Sequence, residues 1–263
     1  MSSAVSPVIA VLGLGEAGSR ISADLAAAGA TVRGFDPLVA PPAGVRAATS
    51  DADACAGAAL VISVNSAHDA LDALEQSLPA LDGQAIWADF NTSAPGLKQE
   101  LARVAADAVQ VVDVAVMAPV PPTGLRTPLT VSGPAAPAAA GLLRQYGAQV
   151  QVIDGPVGQA ATRKLLRSVY YKGLAAAVVE ALEAARAAGL EEWLAGNIRD
   201  ELENSNAATL DRLVTGSETH AVRRREEMAA AADLLDELGV PPRIATASRD
   251  WLADLAARRP ARG

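Results

Sequence analysis

Cysteine, histidine and positive charge are all scarce in this chain, and each shortage removes a class of function. Cys55 is the single cysteine among 263 residues. It cannot form an internal disulfide or a cysteine-based metal cluster, and its isolation fits a reducing compartment. With two histidines, His68 and His220, a multi-histidine metal site is not expected either. The formal net charge of −8 argues against a general nucleic-acid binder, because neutralising phosphates takes a basic face. No stretch reaches the roughly 18 uncharged apolar residues that a membrane span requires. Met1 to Pro7 lacks the charged start and apolar core of a secretion signal. A soluble, cytoplasmic protein acting on a small molecule, with no metal, nucleic acid or membrane, is therefore expected.

Apolar residues, by contrast, make up 51% of the chain, enough for a substantial core in one large or two modest domains. Charge is unevenly spread. Up to residue 161 there are 7 basic and 14 acidic side chains, and beyond it 15 and 16. Cations thus gather in the last hundred residues, where they can meet an anionic substrate or simply form a solvated helical surface.

The first chemical signal is PVIAVLGLGEAGSRISADLAAAGATVRGFDP. A continuous apolar run, Val8 to Leu12, reads as a buried parallel strand. Glycines follow at 13, 15 and 18, then Ile21, Leu25 and Ala28 recur at helical spacing until Gly29 stops the helix. A second strand, Thr31 to Phe35, ends in Asp36. Strand, Gly-x-Gly-x-x-Gly, helix, strand and acid in this order form the dinucleotide fingerprint. Gly13 allows the tight turn, Gly15 lets the backbone approach a pyrophosphate, and Gly18 lets the helix pack close. The exposed amides of the helix start, through Leu14, Glu16 and Ala17, face the phosphates. Asp36, about 20 residues on, accepts from the adenosine ribose. A carboxylate there repels a 2′-phosphate, so NAD is favoured over NADP, with Arg46 in the following loop as the residue that would oppose it.

Strand and helix keep alternating. Residues 59–65, 85–91, 109–117, 128–133 and 149–154 read as strands, with helices from His68 to Leu78, from near Pro95 and over 137–146. This predicts an α/β protein with an N-terminal Rossmann doubly wound parallel sheet over 1–160. Ligands in such sheets lie beyond the strands' carboxyl ends, which singles out the loops after Asn65, Asn91 and Met117. Asn65 and the Asn91, Thr92, Ser93 group are equally good helix-capping residues.

Past Gly158 only helical patterns remain, giving an all-α C-terminal domain over 161–263. The spacing predicts helices at Ala161 to Ala188, Glu191 to Asn204, Ala207 to Val214, Glu218 to Leu238 and Pro242 to Ala257. On the first of these, Lys164, Arg167, Ser168 and Tyr171 fall at i, i+3, i+4 and i+7 and form one polar stripe. Read alone, such a lysine is a solvent-facing side chain.

Taken together, these segments resemble the β-hydroxyacid dehydrogenases, which include 6-phosphogluconate and 3-hydroxyisobutyrate dehydrogenases and are related to imine reductases. GLGEAG (13–18) is similar to the family's cofactor loop, and DFNTSAP (89–95) to its Asp-x-Ser-Thr-x-x-Pro segment near the nicotinamide. VDVAVMAP (112–119) stands where the family has Asp-Ala-Pro-Val-Ser-Gly-Gly, so Met117, Ala118 and Pro119 replace the substrate-holding Ser-Gly-Gly. GQAATRKLLRS (158–168) resembles the helix carrying the catalytic lysine, with Arg167 and Ser168 in place of two asparagines. The variant pattern, including THAVRRREEM (219–228), is more similar to a branch with a divergent C-terminal domain. The resemblance implies an NAD(P)-dependent hydride transfer in which Lys164 is general acid/base. It further implies that Asn65, Asn91 and Thr92 contact the cofactor and that Arg167, Ser168, Tyr171, His220 and Arg224 meet the substrate. A hundred-residue helical layer with so many alanines needs more surface to bury, so a homodimer is expected. An imine reductase and a non-catalytic nucleotide-binding protein are the alternatives.

Overall fold

A computed structural model describes residues 7–258. Met1 to Ser6, which bear on the expectation about secretion, lie outside the described residues. The chain falls into two compact units, one ending at Arg167 and one beginning at Ser168.

The first unit is a three-layer α/β/α arrangement. Its eight strands are β1 (Val8–Leu12), β2 (Thr31–Phe35), β3 (Arg46–Ala47), β4 (Leu60–Ser63), β5 (Ile86–Asp89), β6 (Gln110–Val116), β7 (Leu129–Ser132) and β8 (Val150–Val152), in spatial order β3-β2-β1-β4-β5-β6-β7-β8. Continuous apolar runs become the central strands because both of their faces are covered. Ile9 and Val11 point to a core shared with α1 (Glu16–Ala27), through Ile21 and Leu25, and with α5 (Ala136–Arg144), through Ala139 and Leu143. Ala10 and Leu12 point the other way, to α2 (Asp51–Cys55), α3 (Ala70–Ser77) and α4 (Pro95–Ala105), through Cys55, Leu74 and Leu101. Each fully buried leucine of this kind contributes about 1.5–3 kcal/mol. From β1 the chain winds outward through β2 and β3, then crosses back to place β4 on β1's other side. That reversal opens a crevice at the strands' carboxyl ends.

Three details differ from expectation. The sheet is parallel from β3 to β6, but β6 pairs antiparallel with β7, and β8 follows β7's direction. The connection from Met117 to Pro128 holds Pro119, Pro121, Pro122 and Pro128, so it cannot form the crossover helix a parallel return needs. The helix expected from His68 starts only at Ala70, leaving His68 in the preceding turn, where its amide donates to Ser66 Oγ. A two-residue strand, β3, is also added at the edge.

The second unit is helical. It contains the larger part of α6 (Gln159–Ala187), then α7 (Glu191–Glu203), α8 (Ala207–Thr219), α9 (Ala221–Glu237) and α10 (Arg243–Ala257). Ala184, Ala232, Leu235 and Ala245 form its buried centre. The break between α8 and α9 falls at His220, later than the break expected between Val214 and Glu218, and α8 continues through Gly216. A Cβ at Gly216 would stand 2.8 Å from Arg224 Nη2, so the glycine lets this guanidinium lie against α8. Among the described residues no helix is long and apolar enough to cross a membrane.

The start of α10 is held by Glu180, whose carboxylate accepts from the Ile244 and Ala245 amides at 2.7 and 2.8 Å. Glu180→Ala removes this cap and is expected to lower stability by about 1 kcal/mol. Hydrogen exchange should quicken at Ile244 and Ala245 before other amides of the unit.

Candidate functional site

The fingerprint loop is shaped by contacts that only glycine permits. Gly13 has φ +91°, and a Cβ there would lie 2.7 Å from the Asn65 backbone, so the turn is pressed against the loop after β4. At Gly18 a Cβ would stand 1.9 Å from the Gly13 carbonyl oxygen, which is how closely α1 approaches the turn. Gly15 is different. A Cβ there meets nothing within 4 Å, and Gly15 lines a cavity of about 530 Å³ together with Gly13, Asp36 and Asn65. Gly15 is also the N-cap of α1 and supplies no side-chain cap, so the first-turn amides, including those of Glu16 and Ala17, are left for a ligand.

Asp36 closes this cavity from the end of β2. Its Oδ2 accepts from the Leu14 amide at 2.7 Å, and its Oδ1 from the Leu38 and Val39 amides at 2.8 and 3.0 Å. Burial raises its carboxyl's pKa, but these three donors outweigh that effect and hold it below the ordinary value. Leu14 therefore serves through its backbone bond to Asp36, with its side chain in the core. Asp51, Asp69 and Asp72 also line the cavity, and no lysine or arginine does among the described residues. Arg46, on β3, is absent from that lining, and the Arg33 guanidinium donates to the Asp53 and Ala56 carbonyls.

A second polar centre lies one strand further along the sheet. Lys164 is partly buried on α6, and its Nζ donates to Thr92 Oγ1 at 2.7 Å. The Ala160 amide donates to Ser132 Oγ at 3.0 Å and the Ala161 amide to Asp113 Oδ2 at 2.8 Å, so both β6 and β7 hold the first turn of this helix. Asn91 Nδ2 donates to Asn65 Oδ1 at 2.8 Å and to Asp89 Oδ1 at 2.6 Å, joining this centre to the loop that lines the cofactor-sized cavity. Neither asparagine caps a helix, since Asp69 precedes α3 and Ala94 precedes α4. Ser93 Oγ is buried beside Thr92 and Lys164 with no hydrogen-bond partner among the described residues.

Beneath these groups lies a buried ion cluster. Lys98 on α4 is 1% exposed; its Nζ stands 2.7 Å from Asp89 Oδ2 and 3.2 Å from Asp113 Oδ1, both carboxylates fully buried. Its well-aligned hydrogen bond goes to the Asp89 carbonyl at 2.8 Å, and the carboxylate oxygens are held by charge at poorer angles. Burial pushes the Asp89 carboxyl up, against the pull of Lys98 and Asn91. None of these three residues was singled out from sequence as part of a site. The signal was the spacing of 98, 101 and 105, which puts Lys98 on the buried stripe of α4 with Leu101 and Ala105.

Among the remaining candidates, Met117 packs against Ala115, Ile153 and Ala160, while Ala118 and Pro119 are exposed. Arg167 sits one turn beyond Lys164 on α6. Ser168, Tyr171, His220 and Arg224 belong to the second unit. There Tyr171 meets Tyr170 edge to face at 5.0 Å, Arg224 Nη1 donates to Ser217 Oγ at 2.8 Å, and His220 separates α8 from α9.

Comparison with known proteins agrees with this geometry. Residues 8–153 match the family described as the NAD binding domain of 6-phosphogluconate dehydrogenase, and residues 185–255 match a domain of unknown function, DUF1932. An uncharacterised 28.5 kDa protein of Methanothermus fervidus is 39% identical over 88 residues, covering 33% of this chain and 35% of that protein. The chain thus matches about a third of the length of this curated relative. The conserved protein MTH1747, whose structure was described as similar to 3-hydroxyacid dehydrogenases, shares 26% identity over 95% of this chain and 98% of its own, with a TM-score of 0.62. A Myxococcus stipitatus imine reductase variant in complex with NAD+ has the same fold, at 20% identity, 96% and 94% coverage and a TM-score of 0.81.

The two glycines should separate on substitution. Gly18→Ala is expected to cost stability, at least about 2 kcal/mol for a clash with backbone. Gly15→Ala should melt as the wild type does while weakening NADH binding about tenfold or more, because its methyl occupies the cavity. Thermal melts and fluorescence titration check both.

Proposed function

Since the chain belongs to the family of the NAD-binding domain of 6-phosphogluconate dehydrogenase, we propose that it is an NAD(P)-dependent oxidoreductase with Lys164 as its general acid/base. The residues fit a dinucleotide. The open space at Gly15, the uncapped start of α1 and the Asp36 carboxylate line one cavity, and the amides of the α1 turn would hold the pyrophosphate. The nicotinamide, when bound, supplies or accepts the hydride. The observation that carries the proposal is the bond from Lys164 Nζ to Thr92 Oγ1, which holds the amine at the polar centre joined through Asn91 and Asn65 to that cavity. In reduction, Lys164 gives a proton to the oxygen of the substrate carbonyl as its carbon gains hydride; in oxidation it takes that proton back.

The substrate is a small hydroxy or keto compound, and Arg167, one turn from Lys164, supports an anionic one. Met117 favours a second reading. It stands where the resembling dehydrogenases have a serine and packs into the apolar group around Ala160, so that position offers no hydroxyl to hold a carboxylate. A C=N substrate protonated at nitrogen is compatible with that loop. The acidic lining, four aspartates with no lysine or arginine among the described residues, supports NAD over NADP, because a 2′-phosphate would meet like charge.

The protein acts as a homodimer. Both α7 and α8 are 13 residues long without a buried residue, and Trp193, Leu202, Leu210 and Leu213 are exposed. Isolated helices of this length are marginal in water, so a second copy covering their apolar faces accounts for them.

Titration with NADH and NADPH is expected to favour NADH about tenfold or more. In a screen of keto acids, their phosphonate analogues and cyclic imines, Lys164→Ala should lower kcat about 10²- to 10⁴-fold with little change in NADH affinity. Wild-type turnover by this variant overturns the assignment of Lys164. NADH binding without turnover on any substrate class would indicate a non-catalytic nucleotide-binding protein.

A further inference from the structure

The mechanism above leaves one buried cation unused. Lys98 lies on α4, away from the fingerprint, yet its ammonium is enclosed between Asp89 at the end of β5 and Asp113 on β6. Burying a lysine costs several kcal/mol unless it is paired, so its place here demands a purpose. Asp113 points in two directions. One oxygen faces Lys98, and the other accepts from the Ala161 amide at 2.8 Å and lies 3.4 Å from the Ser132 hydroxyl. Ser132 Oγ in turn accepts from the Ala160 amide. An ionised carboxylate at this point caps the opening turn of α6 and suits the positive end of its dipole. Lys164 is one turn further along the same helix.

We infer that Lys98 is a positioning residue: by pairing with Asp113 from beneath the sheet it holds that carboxylate against the first turn of α6 and thereby sets where the Lys164 amine stands. Without the cation, the buried Asp89 and Asp113 carboxylates, paired across β5 and β6, would repel each other, and a displaced Asp113 would hold the Ala161 amide less well. Asp113→Asn alone also fails to satisfy both neighbours. Its single acceptor oxygen can serve Ala161 or Lys98, and its amide nitrogen confronts whichever is left. Removing both charges together restores compatibility, because the side-chain amide introduced at position 113 can turn its oxygen to Ala161 and donate from its nitrogen to the neighbouring Asp89 carboxylate that Lys98 no longer holds. The inference rests on Lys164 being the proton-transfer group, but its test does not depend on turnover.

The chain has three lysines, Lys98, Lys164 and Lys172, so trace labelling with an amine-specific acylating reagent, read by mass spectrometry at one pH, resolves all of them. Lys172 is exposed and serves as the internal reference. In the wild type Lys164 should label more slowly than Lys172. In folded Lys98→Met and in Asp113→Ala the Lys164 to Lys172 ratio should rise about fivefold or more, the shift that loss of one helix cap brings. In the Lys98→Met/Asp113→Asn double variant it should fall back towards wild type. A wild-type ratio in either folded single variant overturns the inference, as does a double variant no better than Lys98→Met. Should the single variants not fold, hydrogen exchange in the wild type decides. Slow exchange at Ala160 and Ala161, in the class of the central strands, upholds the cap, and fast exchange there overturns it. If these results hold while Lys164→Ala retains full turnover, the catalytic reading fails and the positioning of α6 stands.

Discussion

The interaction on which the rest depends is the ion cluster buried under the sheet's carboxyl edge. Lys98 draws together β5, through Asp89, and β6, through Asp113, and Asp113 passes the connection to the first turn of α6. Such clusters stabilise a fold poorly compared with a packed apolar core, since desolvating three charges consumes most of what their attraction returns. Their benefit is geometric. Each partner accepts only a narrow set of positions, and the elements that carry them are held accordingly. Here those elements are the ends of β5 and β6 and the first turn of α6.

Two loops meet at this edge for a topological reason. The chain's return from β3 to β4 opens the crevice in which Gly15 and Asp36 face a cavity, and the next strand, β5, ends in Asp89 and leads to Asn91 and Thr92. Asn91 bonds to Asn65 and to Asp89, so the dinucleotide crevice and the lysine centre share a side chain. Asp36 is similarly divided. It faces the cavity while its oxygens are engaged by the Leu14, Leu38 and Val39 amides, and the same carboxylate that shapes the loop gives the crevice its negative sign.

Much of this was legible in the sequence because it depends on local pattern. Val8 to Leu12 read as a strand covered on both faces, and glycines 13, 15 and 18 gained their meaning from the strand before them and the helical spacing after. Lys164 and Thr92 were both nameable from resemblance to a family, although their bond across 72 positions was not. The reversal at β7 was hidden because turn signals mark where a strand stops and not the direction in which the next one runs; the prolines from 119 to 128 were the clue. Lys98 escaped because a helical lysine ordinarily extends its amine to water. Its partners lie on two other strands, and no local spacing reveals that they converge. The close approach of the Arg224 guanidinium to Gly216 on α8 was hidden for the same reason.

The proposed function rests on these placements: a glycine turn that exposes helix amides, an acidic wall beside it, and an amine held on a capped helix beside a threonine hydroxyl. The account's central claim is that this amine stands at the reacting end of the nicotinamide. The most direct test is a crystal structure of the NAD+ complex, with the distance from Lys164 Nζ to nicotinamide C4 as the quantity of interest. The account predicts a gap of about 4–6 Å, room for one substrate atom between them within hydrogen-bond reach of the amine. A Lys164 amine turned to bulk water, with the ring stacked elsewhere, would contradict it.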